Sequence, residues 1–184
     1  MMRRVCRGSM AALAAAVLLA GCGGALTDAS GDLALFPEAK APLTADGPPK
    51  VLTLGGSDTV EVTAWRFTPL PGLSQAATTK WCGVVLHADA SESQALVTIG
   101  VSFTEALSCR GLADIGVVPA KGAAARIGLL YRTASPNAEV VTPVVLMRDP
   151  ASSTWSVDAT ASQRLTRSRQ VPTLATMRRD LRAE

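Results

Sequence analysis

His87 is the single histidine of the 184-residue chain, so imidazole-based acid–base chemistry has one place to occur. Asp89 and Ser91 supply the other two side-chain types of a nucleophilic triad. Residues so close in sequence do not normally converge as hydroxyl, imidazole and carboxylate must. Neither a Gly-x-Ser-x-Gly elbow nor a Ser-x-x-Lys pair is present to activate a serine. A solvent-facing strand residue near a turn accounts for His87 first. Glu92, Glu105, Asp114 and Asp158 are candidates for glycosidase-like hydrolysis, which needs only two carboxylates that meet. Saccharide clefts also use aromatic platforms, and Trp65, Trp81 and Trp155 each fall in or beside a predicted strand, where core packing explains them. Gly55-Gly56-Ser57-Asp58 resembles a phosphate-cradling loop in composition only. No lysine follows at the required spacing, and the segment leads into a strand pattern, so it reads as a turn.

The one strong chemical signal lies at the start. Arg3, Arg4 and Arg7 stand without an acidic neighbour, and an unbroken apolar run from Met10 to Ala20 leads to Leu19-Ala20-Gly21-Cys22. A basic n-region, a short apolar h-region and a small-residue cleavage site make a secretory signal over residues 1–21. As a helix, a run of about 11 residues rises roughly 16 Å, against about 30 Å of hydrocarbon core, so it is too short to span. Leu19-Ala20-Gly21-Cys22 resembles the lipobox of bacterial lipoproteins. The resemblance covers the signal alone. It implies a diacylglycerol on the Cys22 sulfur, cleavage before Cys22 and acylation of the new amine. One acyl chain, at about 0.8 kcal/mol per buried methylene, holds a protein marginally, whereas two or three hold it firmly. Gly23 in place of Asp implies, by the same analogy, an outer-membrane anchor facing the periplasm.

Charge adds little. The net +3 is carried entirely by Arg3, Arg4 and Arg7, so the chain from Cys22 onward is formally neutral. That balance gives no case for a nucleic-acid partner. Within it, Arg164, Arg167, Arg169, Arg178, Arg179 and Arg182 crowd the last 24 residues against only Asp180 and Glu184. An arginine-rich solvent face on an amphipathic helix explains them, and contact with an anionic partner is the functional alternative. With Cys6 removed and Cys22 acylated, Cys82 and Cys109 are left as a pair in an oxidising compartment. A disulfide is then expected, closing a loop of about 28 residues worth roughly 3–4 kcal/mol. The spacing does not suit a zinc knuckle, and one histidine cannot complete a metal set, so no metal or other cofactor is expected.

The elements that must carry these residues read as follows. Residues 22–49 are rich in Gly, Ala, Pro, Asp, Thr and Ser and read as a tether, with an r.m.s. reach of about 30 Å if coiled. Leu33-Ala34-Leu35-Phe36 interrupts it as either a docking segment or, the favoured reading, a few tolerated apolar residues. Residues 50–184 read as one β-rich domain. Strands are predicted at 51–54, 59–67, 81–88, 95–103, 112–118, 126–132, 140–147 and 155–157. A change of phase at Trp65 and Phe67 implies a bulge. The connection 89–94 makes an antiparallel hairpin of its flanking strands. Val140–Met147 is apolar nearly throughout, as in a central strand, yet Pro143 implies that it is broken, bulged or at an edge. Pro172 opens a terminal helix with Leu174, Met177 and Leu181 on one stripe. The fold expected is mainly β: an antiparallel sandwich or bent barrel-like sheet of about seven or eight strands with one C-terminal helix.

These readings favour a non-catalytic accessory lipoprotein that binds an envelope protein. The alternatives are a small peptidoglycan or glycan hydrolase using paired carboxylates, or a carrier of lipid or another apolar ligand. A cleft with two facing acids, or an apolar cavity inside the β domain, would mark those alternatives.

Overall fold

The computed structural model describes residues 34–74, 79–88, 93–120, 125–135, 137–168 and 170–183. Among them are nine strands in two antiparallel sheets, followed by two short helices. Strands β1 (Ala39–Ala45), β2 (Lys50–Gly55), β3 (Asp58–Pro69), β4 (Trp81–Ala88) and β5 (Gln94–Ile99) make the first sheet. Strands β6 (Ser108–Val118), β7 (Ala125–Ser135), β8 (Ala138–Arg148) and β9 (Trp155–Val157) make the second, in that order. Helices α1 (Ala159–Thr166) and α2 (Leu174–Arg182) complete the chain, and no described helix is long and apolar enough to cross a membrane.

Side-chain alternation explains why the sheets stack. Val60, Val62 and Ala64 of β3 and Cys82, Val84 and Leu86 of β4 project to one face. There they meet Ile127, Leu129 and Tyr131 of β7 and Val144 and Leu146 of β8, and these side chains fill the space between the sheets. The mainly β sandwich expected from the sequence is therefore present. Its two outer faces carry packed side chains as well: the terminal helix lies against a sheet, as its marginal length implied, and the packing on the first sheet was not foreseen. On the first sheet, Trp65, Phe67, Trp81 and Val85 pack with Ala39 and Leu43 of β1 and with Phe36, which precedes that strand. On the second, Val118, Leu130 and Val145 lie under Ala161 and Leu165 of α1 and Met177 and Leu181 of α2.

The covered first face corrects two expectations. Phe36 is only 1% exposed and its ring stands 5.2 Å from that of Phe67, so Leu35–Phe36 is a docked segment and not a tolerated apolar patch. The Phe36 ring occupies the place where a Cβ on Gly83 would stand, so β4 needs a glycine there. Residues 39–45, assigned by composition to a tether ending at 49, are a strand paired with the second half of β3. Breaker-rich composition concealed a strand whose alternate residues Ala39 and Leu43 are buried. A further correction concerns β3 itself. It pairs with β4 without a register shift from Val60↔Ala88 to Phe67↔Trp81. Trp65 and Phe67 lie on its opposite face from Val60 and Val62, so the apparent bulge is a strand buried on both sides.

The hairpin of β4 and β5 forms as expected, but β5 stops at Ile99. Its register shifts between Cys82↔Ile99 and Gly83↔Val97, leaving Thr98 as the extra residue. The shift moves Ile99 to the inter-sheet face, away from Ala95 and Val97, and Phe103 falls in a 3-10 turn at Ser102–Thr104. Gly55 pairs with Asp58 around a turn in which Gly56 has φ +58°, as the composition of that segment implied.

Pro143 does not break β8, whose pairing with β7 runs unbroken from Ala125↔Arg148 to Ser135↔Ala138. Two residues on, the Val145 N–H is taken by Ser162 Oγ and its carbonyl by the Asp158 N–H, both on the side away from β7. Pro143 shares that direction, so its missing N–H removes no bond from the β7 ladder. At the C-terminus two helices stand where one was expected. Asp158 caps α1 by accepting from the Ala161 N–H at 2.9 Å. Thr173 and Thr176 cap α2 reciprocally, so Pro172 precedes the cap instead of sitting in the first turn.

Candidate functional site

A cleft of about 650 Å³ lies where the N-terminal half of β8 approaches the segment joining α1 to α2. Its walls come from Val140, Val141 and Thr142 on one side and Ser168, Gln170, Val171 and Pro172 on the other. Val140 is 45% exposed and Val171 73%, a large solvent share for β-branched aliphatic side chains. Arg110, Arg132 and Glu139 supply its charge. Arg110 Nε stands 3.7 Å from Glu139 Oε1 with both side chains well exposed, a weak pairing in water. Arg132 faces solvent, and no described residue pairs with its guanidinium. The cleft thus offers apolar surface with a modest excess of positive charge.

Local sequence explains this exposure. The helix cover over the second sheet is anchored at Val145 through Ser162 and at Gly128 through Met177. The second contact depends on two glycines, Gly116 and Gly128, facing each other across β6 and β7. A Cβ on Gly128 would lie 2.8 Å from Met177 Cε, and one on Gly116 would lie 3.0 Å from Leu174 Cδ1. Toward the far end of β8 the cover thins, with Val141 only partly buried against it and Val140 exposed, and the cleft lies there. Sequence reasoning missed the cleft because the run Val140–Met147 is apolar nearly throughout and carries no mark of which end is covered.

The residues singled out in the sequence are dispersed. His87 is half-buried, pairs with Glu61 across the strands, and its Nδ1 lies 2.6 Å from Ser93 Oγ, a contact that closes the hairpin. Asp89, Ser91 and Glu92 lie outside the described residues. Glu105 follows the 3-10 turn, Asp114 accepts from the Ile115 N–H on β6, and Asp158 caps α1 while pairing with Arg126 at 3.0 Å. None of these three lines a described cleft. Trp65, Trp81 and Trp155 are all buried in the packing.

The arginines divide. Arg178 donates to the Val117 carbonyl at 3.0 Å and, with Arg182, borders a smaller cleft beside Arg126. Arg179 bonds Asp180 and Gln170. Arg164 borders a third cleft with Asp180, Arg167 is exposed, and Arg169 lies outside the described residues. Cys22, the residue expected to carry the acyl chains, is also outside them.

Cys82 and Cys109 lie at disulfide distance, their Cα atoms 5.8 Å apart and both side chains buried. Asp46 stands beside this pair, its Oδ2 3.8 Å from Cys82 Sγ and accepting from the Leu112 N–H at 3.1 Å. Arg66 reaches from β3 to the Arg110 carbonyl at 2.7 Å and lies 3.8 Å from Asp46. Together these contacts join the first sheet to β6 at one corner of the sandwich. Nearby, Tyr131 Oη is 2.8 Å from Thr98 Oγ1, which lies 3.1 Å from the Cys82 carbonyl. Burial pushes the Tyr131 phenol far above its ordinary range; the Thr98 contact opposes this and the Asp46 charge adds to it. Asp46 escaped the sequence reading because it was assigned to the tether.

Comparison with protein-family models, curated proteins and solved structures finds no match to this chain.

Proposed function

We propose that this chain is a non-catalytic accessory lipoprotein, held by acyl chains on Cys22 at the periplasmic face of the outer membrane, which binds a protein of the cell envelope. The observation that carries the reading is the cleft beside β8: exposed Val140 and Val171 with Arg110 and Arg132 make a surface suited to a polypeptide. The filled space between the sheets favours a surface-binding role over carriage of an apolar molecule within the sandwich. The sequence supports the rest, through the signal at residues 1–21 and Leu19-Ala20-Gly21-Cys22.

Crosslinking in intact cells, with the anchor kept and a Cys22→Ser control, tests the proposal. A specific envelope protein captured by the wild type above the control is the expected result. Capture of nothing above the control overturns the adaptor reading. The anchor has its own check: the intact mass of the mature chain should exceed that of residues 22–184 by acyl chains, and an unmodified Cys22 thiol would exclude it.

A further inference from the structure

The geometry points to a specific mode of binding for this adaptor: a partner adds an extended, acidic segment as a new strand on the open edge of β8. The inference rests on the adaptor reading above and names the partner's chemistry. Strand β9 pairs only with Leu146–Arg148. Beyond it, Ser162 Oγ and the Asp158 N–H take up the Val145 backbone. Because backbone direction alternates along a strand, Glu139 and Val141 direct their N–H and C=O groups the same way as Val145, away from β7. No described strand pairs with them there.

An unpaired edge is a template for strand addition, in which backbone bonds supply affinity and flanking side chains supply specificity. The adjoining cleft supplies those flanks. Arg132 is the cross-strand partner of Val141 and shares its face. A residue opposite Val141 on an added strand would lie two strand spacings, about 10 Å, from the Arg132 backbone, within reach of a guanidinium. Arg110 lies on the same side, held only by an exposed contact with Glu139. Two cations against one carboxylate favour an incoming Asp or Glu. Val140 and Val171 favour apolar residues beside it. Pro143 limits the register, since it offers the added strand an acceptor and no donor.

The probe is a library of short random peptides offered to the full mature lipoprotein in detergent. Peptides carrying Asp or Glu among β-branched residues should be enriched, and a selected peptide should slow amide exchange at Glu139 and Val141. Val141→Pro deletes an edge donor without touching the β7 ladder, so it should weaken that peptide at least about tenfold while leaving the urea midpoint in place. If it also lowers the midpoint, Arg132→Glu carries the test, and should reverse the preference toward basic peptides. Equal enrichment by wild type and variants, or protection elsewhere, overturns the proposal. So does a doubled mass in solution that Val141→Pro abolishes, which would assign the edge to a second copy. Crosslinking in cells separates the two levels. If Val141→Pro still captures the envelope protein, the strand-addition mode falls and the adaptor stands. If the wild type captures nothing, the adaptor falls.

Discussion

The Ser162 hydroxyl accepts a hydrogen bond from the Val145 N–H at 2.9 Å and donates one to the Asp158 carbonyl at 2.7 Å. Ser162 is fully buried, and this single oxygen continues the edge of β8 into helix α1 where strand pairing ends. The Asp158 N–H, bonded to the Val145 carbonyl at 2.8 Å, completes the junction. Ser162→Ala leaves the buried Val145 N–H without its partner, while the Asp158 carbonyl keeps the Ser162 N–H, at a cost of about 1–3 kcal/mol. A urea titration should show that loss. An unchanged midpoint would mean that the hydroxyl is not what holds α1 to the sheet.

Gly128 and Met177 form the second attachment of the helical cover. Gly128→Ala would place a methyl 2.8 Å from both Met177 Cε and Val118 Cγ1, overpacking the contact. We expect a loss of about 1–3 kcal/mol. Met177 is flexible at its far end, so Gly128→Ala combined with Met177→Ala should cost less than the sum of the single changes. Simple additivity would show that the two residues do not touch.

Tyr131 is the chain's only tyrosine and is wholly buried, so the phenolate band reports on one site. Its folded pKa lies above the ordinary value of 10.0, chiefly because burial disfavours the anion. The folded state therefore holds this proton more tightly than the unfolded state does. The resulting stabilisation is whole below pH 10.0, and declines as pH rises from there toward the folded value. In an alkaline titration, the phenolate band should appear together with unfolding. A band that grows while tryptophan fluorescence stays native would contradict the burial of this phenol.

Cys82 and Cys109 join the first sheet to the second, and a bond between them constrains the unfolded chain across 27 positions. Replacing both with serine should cost about 3–4 kcal/mol, less any strain released. Non-reducing peptide mapping should recover the two peptides joined. Two freely alkylatable thiols in the folded protein would rule the bond out.

The strands legible in the sequence were those whose alternation reports burial on one face, such as β4, or whose ends are marked by turn residues, such as β2 and β3. Strand β1 was not legible, because Ala39, Pro42 and Ala45 carry little β signal and burial of Leu43 depends on a neighbour far along the chain. Helix α1 was missed for a related reason. Its Ala, Thr and Ser residues make a weak stripe, and its stability comes from the Asp158 cap and from Ser162, which bonds to a strand. The cysteine pair was foreseen from compartment and number alone. The cleft was not, since it depends on where β9 ends relative to β8, which no local pattern in either strand encodes.

The covering of the second sheet also bears on the order in which the protein can assemble. Val118, Leu130 and Val145 are in place once β6, β7 and β8 have paired, but their cover is the last part of the chain, residues 161–181. The strands of this sheet follow one another in sequence and can pair early, whereas short helices are unstable alone. A chain emerging N-terminus first would thus present a sandwich with one greasy outer face until residues 161–181 arrive. Exposed faces of this kind recruit neighbours at high concentration. The C-terminal helices therefore act as a built-in shield, and the interval before they dock is the one in which the domain is most vulnerable to aggregation.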